Sequence, residues 1–509
     1  MNSALLIIFF FAGLALYLGI RATRGKEMNV NEFAVGNKSF GTLFIFLLIA
    51  GEVYTTFTFL GGSGWAYSRG AAAYYVPAYI CLAYVLSYWM IPKIWRFAKD
   101  NDIISQPGYF SQKFKSPILG VVVALLGTIA LIPYIVIQLK GLGIIVGEAS
   151  YGVISPIIAS AIGAIIVTVY VTVSGIHGSA WTAVIKDILI LIVIVFLGIY
   201  IPFHYFGGIQ PLFEAVQAVK PEALTLPAEG YSVVWFISTI ILNAFGFYLL
   251  PQSFSVILSA DSEKVLKKNA ITLPIYTILL LFAFFIGFAA IIQVPGLQGA
   301  DGDLSLLRLV MQTFDPWIVG VVGAAGLLTA LVPASVMLMS ASIGLMTGIY
   351  RLVKPEATDR QQLKVSKILV FFIIIIAFIF TISGGEALAL LNIMSYGLIT
   401  QLVPVLLFSF TKSKLMNKYG AIAGIIAGVS IVLFNAVTGI KFADIIEGIP
   451  SYINDLNMGM LALFVNFAVG ILVSLITHKQ VTKENEQHKK TAKQQEEQII
   501  FEEEKTTIS

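Results

Sequence analysis

The chain has 509 residues, 58% of them hydrophobic and only 12% charged, which leaves too few polar side chains to cover a water-soluble globule of this size. The net charge of +4 does not point to nucleic acid, because lysine and arginine fall between the apolar runs in the pattern of membrane orientation. A single cysteine, Cys81, excludes an intramolecular disulfide and any metal site built from a Cys/His cluster.

Apolar runs long enough to cross about 30 Å of hydrocarbon as helices recur from Ser3 to Thr477. The first begins at Ala4 with no basic residue before it and no small-residue cleavage pattern, so it reads as a retained helix and not as a signal peptide. About thirteen transmembrane helices are predicted, over 3–22, 41–69, 74–95, 117–146, 152–174, 181–203, 231–258, 269–295, 317–350, 366–383, 386–410, 419–439 and 458–477. With the N-terminus outside, the inside loops hold 20 basic residues, against only Arg69, Lys220, Arg308 and Lys441 outside. The same count puts the C-terminus in the cytoplasm, with a charged tail over 478–509 that reads as a solvated helix or extension. The expected location is the inner, cytoplasmic membrane, crossed many times.

Setting aside the N-terminal helix and loop (1–40) and the two C-terminal helices (411–477), ten helices divide into two sets of five, 41–203 and 231–410. An odd number per set reverses the second relative to the first, which permits an inverted repeat. The first helix of each set carries interruptions: Gly51-Glu52-Val53-Tyr54-Thr55-Thr56 and Gly61-Gly62-Ser63-Gly64 in one, Asn243, Gly246 and Pro251-Gln252 in the other. Unwound backbone at membrane depth is tolerable only where it is buried in protein or lines a polar cavity, so a matched pair of breaks predicts a binding site between the repeats. Glycine and proline also serve as packing and kink residues in membrane helices, the alternative for either segment alone.

Three stretches, in order and in the right helices, resemble the sodium:solute symporter family over roughly 1–477. Gly51 to Tyr67 is similar to the family's first core helix, with its small-residue break. Tyr170 to Lys186 resembles its Gly-Gly-x-x-x-x-x-Trp-Thr-Asp-x-x-Gln signature, and Ala330-Leu331-Val332-Pro333-Ala334-Ser335-Val336-Met337 its eighth core helix. The resemblance implies an all-α core of five plus five inverted helices, alternating access, and solute and cation near the midplane. It further implies that carbonyls of Gly51 and Tyr54 hold sodium together with a hydroxyl pair. The positions matching that pair are Pro333 and Ala334; Ser335 lies one residue away and Thr329 about one turn back, so these two are the candidate oxygens. The signature aspartate and glutamine are replaced by Ala183 and Lys186, with Asp187 following. The resemblance implies sodium as the coupling ion, and these departures from its pattern make the proton the alternative. The branch looks closer to monocarboxylate and amino-acid carriers than to sugar carriers.

Glu52 is an acidic side chain within an apolar helix, where its cost is roughly 2.5 to 3.5 kcal/mol unless it finds a partner, a proton or water. It is a candidate cation ligand, proton carrier or solute contact, or else an interhelical anchor. By the resemblance, Lys186 lies one turn beyond the position of the family aspartate and is a candidate to place an ammonium in or near the sodium site; the alternative is that Lys186 and Asp187 snorkel to the cytoplasmic headgroups. Thr55, Thr56, Gln138, Asn243 and Gln252 are candidate solute contacts, with helix-to-helix bonding or repair of the unwound chain as the alternatives. His177, in a short turn with Gly175 and Gly178, is expected to be solvated. No cofactor is expected, and the four histidines lie at positions that cannot form an intramembrane catalytic constellation. The partners implied are a small organic solute, the coupling cation and the lipid bilayer. A transporter-like sensor or signalling input module is the competing function.

Overall fold

The computed structural model describes residues 3–411, 415–440 and 450–484. Of the charged tail expected over 478–509, residues 485–509 lie outside the described residues, as do 412–414 and 441–449 of two expected loops. The regular secondary structure of the described residues is helical apart from one isolated bridge, and in lipid a helix lets each backbone group find its partner within the segment.

The helices run α1 (Ser3–Thr23), α2 (Val30–Val35), α3 (Thr42–Val53), α4 (Gly62–Arg69), α5 (Tyr75–Asp100), α6 (Gln106–Lys113), α7 (Pro117–Ala149), α8 (Pro156–Phe206), α9 (Ile209–Val219), α10 (Val233–Gly246), α11 (Pro251–Leu258), α12 (Glu263–Ile278) and α13 (Leu281–Gln293). They continue as α14 (Ser305–Thr313), α15 (Pro316–Leu345), α16 (Arg351–Val353), α17 (Asp359–Ser383), α18 (Leu388–Ile399), α19 (Val403–Ser409), α20 (Lys418–Thr438), α21 (Ser451–Asn454) and α22 (Met458–Ile476). Serine-proline pairs start α7 and α8: Ser116 and Ser155 accept backbone N–H bonds as N-caps, and the following proline needs no partner in the first turn.

Among the described residues, ten helices are long and apolar enough to cross a membrane, eleven with the bent pair α10–α11. Two of the ten fold back on themselves. In α8 the chain turns at Gly175 (φ 52°, ψ −148°), and the Tyr170 hydroxyl donates to Thr182 Oγ1 at 2.7 Å. Twelve residues of straight helix would hold those positions about 18 Å apart. A short turn with Gly175, His177 and Gly178 was expected between 152–174 and 181–203; within it the single Gly175, in a left-handed conformation, makes the reversal. Between α4 and α5 the same happens at Gly70 (φ 57°), which brings the Trp65 and Tyr75 rings to 5.8 Å.

α15 is the central post, almost wholly buried and packed on α1, α7 and α8. Phe40 N donates to Ser259 O at 3.0 Å and Asp261 N to Phe40 O at 3.1 Å, tying the start of α3 to the end of α11. The short helix α2 lies against the α8 hairpin. It corrects the expectation for His177, whose side chain is buried: Nε2 lies 2.9 Å from Glu32 Oε1, and Lys26 Nζ lies 3.1 Å from Nδ1. At the far end of α4, Asp303 in the 3₁₀ turn Gly299–Leu304 is buried and accepts a bond from Leu388 N at 2.9 Å. A Cβ on Gly64 would meet Asp303 Oδ1 at 2.6 Å, so this contact between α4 and the turn requires glycine.

Candidate functional site

The first break follows from the threonine run. Tyr54 leaves helical geometry (φ −85°, ψ 74°) and ends α3, and the chain resumes through a wide turn, Phe57–Gly61, into α4. Thr58 Oγ1 donates to Val53 O at 2.6 Å and accepts from Thr55 N at 3.1 Å, while Thr55 Oγ1 accepts from Phe57 N at 3.2 Å. These bonds replace ladder bonds lost by unwinding, so Thr55 serves the backbone here. Thr56 N donates to Gln138 Oε1 at 3.4 Å, and Gln138 Nε2 to Tyr134 O at 3.3 Å, which brings Gln138 to the break. The buried hydroxyl of Thr56 has no partner among the described residues.

The second break is made by Pro251. It lacks an N–H, and its ring pushes Leu250 into extended geometry (φ −62°, ψ 131°), bending α10 against α11 by 50°. The two breaks meet side by side: Ser253 Oγ, on α11, donates to Glu52 Oε2 at 3.5 Å, and the Gln252 amide faces the same carboxylate. Tyr134 OH donates to the Glu52 carbonyl at 3.4 Å. Asn243, fully buried on α10, leaves both amide atoms without a hydrogen-bond partner among the described residues. A buried polar group is normally paired, so this unpartnered amide departs from the usual pattern.

Lys186 is fully buried, which excludes snorkelling to the headgroups. Its Nζ lies 2.5 Å from Asp187 Oδ1 and 3.4 Å from Tyr54 O, and a Cβ placed on Gly51 would come within 3.4 Å of it. The ammonium thus sits in the mouth of the first break, against the two residues expected to offer carbonyls to a cation. Thr329 Oγ1 donates to Gly326 O at 2.6 Å, and Ser335 Oγ bonds Val332 O at 2.6 Å and Ser179 Oγ at 2.7 Å. Neither hydroxyl shares a hydrogen bond with Gly51 or Tyr54. Leu47 of α3, Ala183 of α8 and Val332 of α15 form a small apolar cluster beside these polar contacts.

Around the breaks, among the described residues, one ammonium, Lys186, stands with two buried carboxylates, Glu52 and Asp187. With both carboxylates ionised the group is one positive charge short, and burial of an uncompensated charge is costly. Sequence reasoning did not single out Ser253, nor the tyrosines that crowd the region. Tyr79 stacks on Tyr75 and meets Tyr396 edge-on at 5.3 Å. Asn392, one turn before Tyr396, is buried with an unpartnered amide, like Asn243. The available signal was polar residues repeating at four-residue spacing, Tyr75/Tyr79 and Asn392/Tyr396, in otherwise apolar helices.

Comparison with known proteins agrees with this architecture. The model of the sodium:solute symporter family matches residues 33–428. The protein named Uncharacterized symporter YhjB of Bacillus subtilis (strain 168) is 54% identical over 94% of this chain and 98% of its own. A monocarboxylate transport permease protein of Rhizobium johnstonii is 27% identical over 93% of this chain and 97% of its own. Among solved structures, a Na+-coupled sialic acid symporter in a substrate-bound, outward-open state superposes with a TM-score of 0.74 over 94% of this chain and 98% of its own, at 20% identity.

Proposed function

This chain belongs to the sodium:solute symporter family, and on that premise we propose that it takes up a small organic solute, a monocarboxylate or an amino acid, by cation-coupled alternating access in the cell membrane. The observation that carries the reading is the meeting of the two helix breaks at Glu52 and Ser253, with a net negative charge left to be neutralised. Solute lies in this reading between the breaks, against Asn243, Gln252, Thr56 and Gln138. Cation binding neutralises the buried carboxylates and stabilises one gate state, which is how a downhill ion drives an uphill solute. Support for the solute class comes from the Rhizobium permease, whose name specifies monocarboxylates.

The family and its sodium-coupled structural neighbour support sodium as the ion. One observation favours the proton instead: Lys186 Nζ already occupies the mouth of the first break, beside Tyr54 O. In that reading Lys186, Asp187 and Glu52 carry the coupling proton between them. Purified protein in liposomes, scanned with monocarboxylates and amino acids under an imposed sodium or proton gradient, tests both. Accumulation driven by sodium alone establishes the first reading and accumulation driven by protons alone the second; no accumulation of any candidate solute with either ion refutes the assignment of solute class.

A further inference from the structure

Outside the central site, a cleft of about 620 Å³ opens between α8 and α17, walled by Thr168 and Thr172 on one side and by a stripe of α17 on the other. The stripe starts with Arg360, Lys364 and Lys367 and continues through Phe371, positions that recur at helical spacing and so share one face. None of the three cations has a carboxylate partner among the described ion pairs. The nearest acid in sequence, Asp359, is engaged elsewhere, accepting from Val30 N at 3.2 Å. Beyond the cations the same wall turns apolar: Ile368, Phe371 and Phe372 are 45%, 54% and 57% exposed, as side chains facing lipid are.

We propose that this cleft binds one anionic phospholipid, its phosphate on Arg360, Lys364 and Lys367 and an acyl chain along Ile368, Phe371 and Phe372. The order along α17 carries the assignment. Three unpaired positive charges at the end expected to face the cytoplasm, followed by aromatic wall at increasing depth, match a headgroup followed by its tail. A free phosphate would satisfy the cations and leave the phenylalanine wall without a role. A zwitterionic lipid would bring its own cation against three others, so a headgroup of net negative charge is selected. The inference uses the orientation in which the Arg351–Lys367 segment is cytoplasmic, and not the identity of solute or coupling ion.

The test is native mass spectrometry of the purified full-length protein, titrated with phosphatidylglycerol or phosphatidylcholine of identical chains. Wild type is expected to retain phosphatidylglycerol preferentially, and equal retention of the two lipids overturns the proposal. A variant carrying Arg360→Gln, Lys364→Gln and Lys367→Gln should lose apparent affinity for phosphatidylglycerol by on the order of a hundredfold. A matched variant with Arg24→Gln, Lys264→Gln and Lys268→Gln, exposed cations on other expected cytoplasmic segments, should keep it. Equal loss in both triple variants reveals general surface attraction and refutes the site. Displacement of the lipid by millimolar inorganic phosphate at constant ionic strength would reassign the cleft to a free anion. Should the first triple variant fail to fold, the lipid preference and phosphate competition of wild type still decide.

Discussion

The Lys186 ammonium lies 3.4 Å from the Tyr54 carbonyl, in the gap where α3 unwinds, and 2.5 Å from the carboxylate of its neighbour Asp187. A lysine here is a positive charge that cannot diffuse away, competing for the oxygens a free cation would need. Lys186→Gln removes that charge while keeping most of the volume. If the lysine stands in for the ion, the variant loses proton-driven accumulation but retains downhill exchange of solute, because the path is intact and only the coupling is gone. Counterflow and proton-gradient uptake, measured in the same liposomes, check it. Unchanged proton coupling returns Lys186 to a structural role.

Glu52 is the carboxylate shared between the two breaks through Ser253. Glu52→Gln keeps a hydrogen-bond acceptor for Ser253 and removes the negative charge, so packing should survive and charge-dependent ion binding should not. Accumulation is expected to fall to background while the protein still reaches the membrane at wild-type level. Uptake equal to wild type removes Glu52 from the mechanism.

Gly175 makes the α8 hairpin with φ 52° and ψ −148°, and an added Cβ would lie 2.9 Å from the Phe33 carbonyl oxygen. Alanine there meets both a backbone conformation that costs on the order of 1–3 kcal/mol and a clash with the main chain of α2. Gly175→Ala should lower thermal stability in detergent by several degrees or prevent folding. A melting temperature equal to wild type would show that the hairpin reverses by some other route.

Asp303 lies outside the membrane-spanning segments, and burial pushes its carboxyl up to about 7, against the lowering effect of the bond from Leu388 N. A carboxyl that titrates higher in the folded state than in the unfolded one binds protons preferentially when folded. Its contribution to stability is therefore most favourable at acid pH, declines as pH rises between about 4 and 7, and stays at its unfavourable limit above that, up to about 4 kcal/mol lower. Asp303→Asn retains an acceptor for Leu388 N and should flatten this pH dependence, raising stability chiefly at pH 8. Melting profiles of the two proteins from pH 5 to 8 read the difference, and parallel profiles would exclude Asp303 as the source.

Residue chemistry alone determined that the chain is helical and lives in lipid, because runs of apolar side chains too long for a soluble core leave no other solvent. It also located both helix breaks, since Pro251 and the Gly51-to-Gly64 stretch act on their own backbone within a few residues. Polar residues in apolar helices flagged Glu52, Lys186, Gln138 and Asn243 for the same local reason, the expense of burying them. Tertiary structure alone decided which of these meet. Ser253 and Glu52 are 201 positions apart, and nothing in either segment states that their breaks lie side by side. The depth of Lys186 depended on the single-residue hairpin at Gly175, and the burial of His177 on α2 folding over that hairpin, both set by backbone geometry and packing between distant segments. The hydroxyls of Thr329 and Ser335 bond Gly326 O, Val332 O and Ser179 Oγ, partners that the fold sets beside them. A hydroxyl bonds whatever the fold presents within about 3 Å, which is a property of packing and not of the residue.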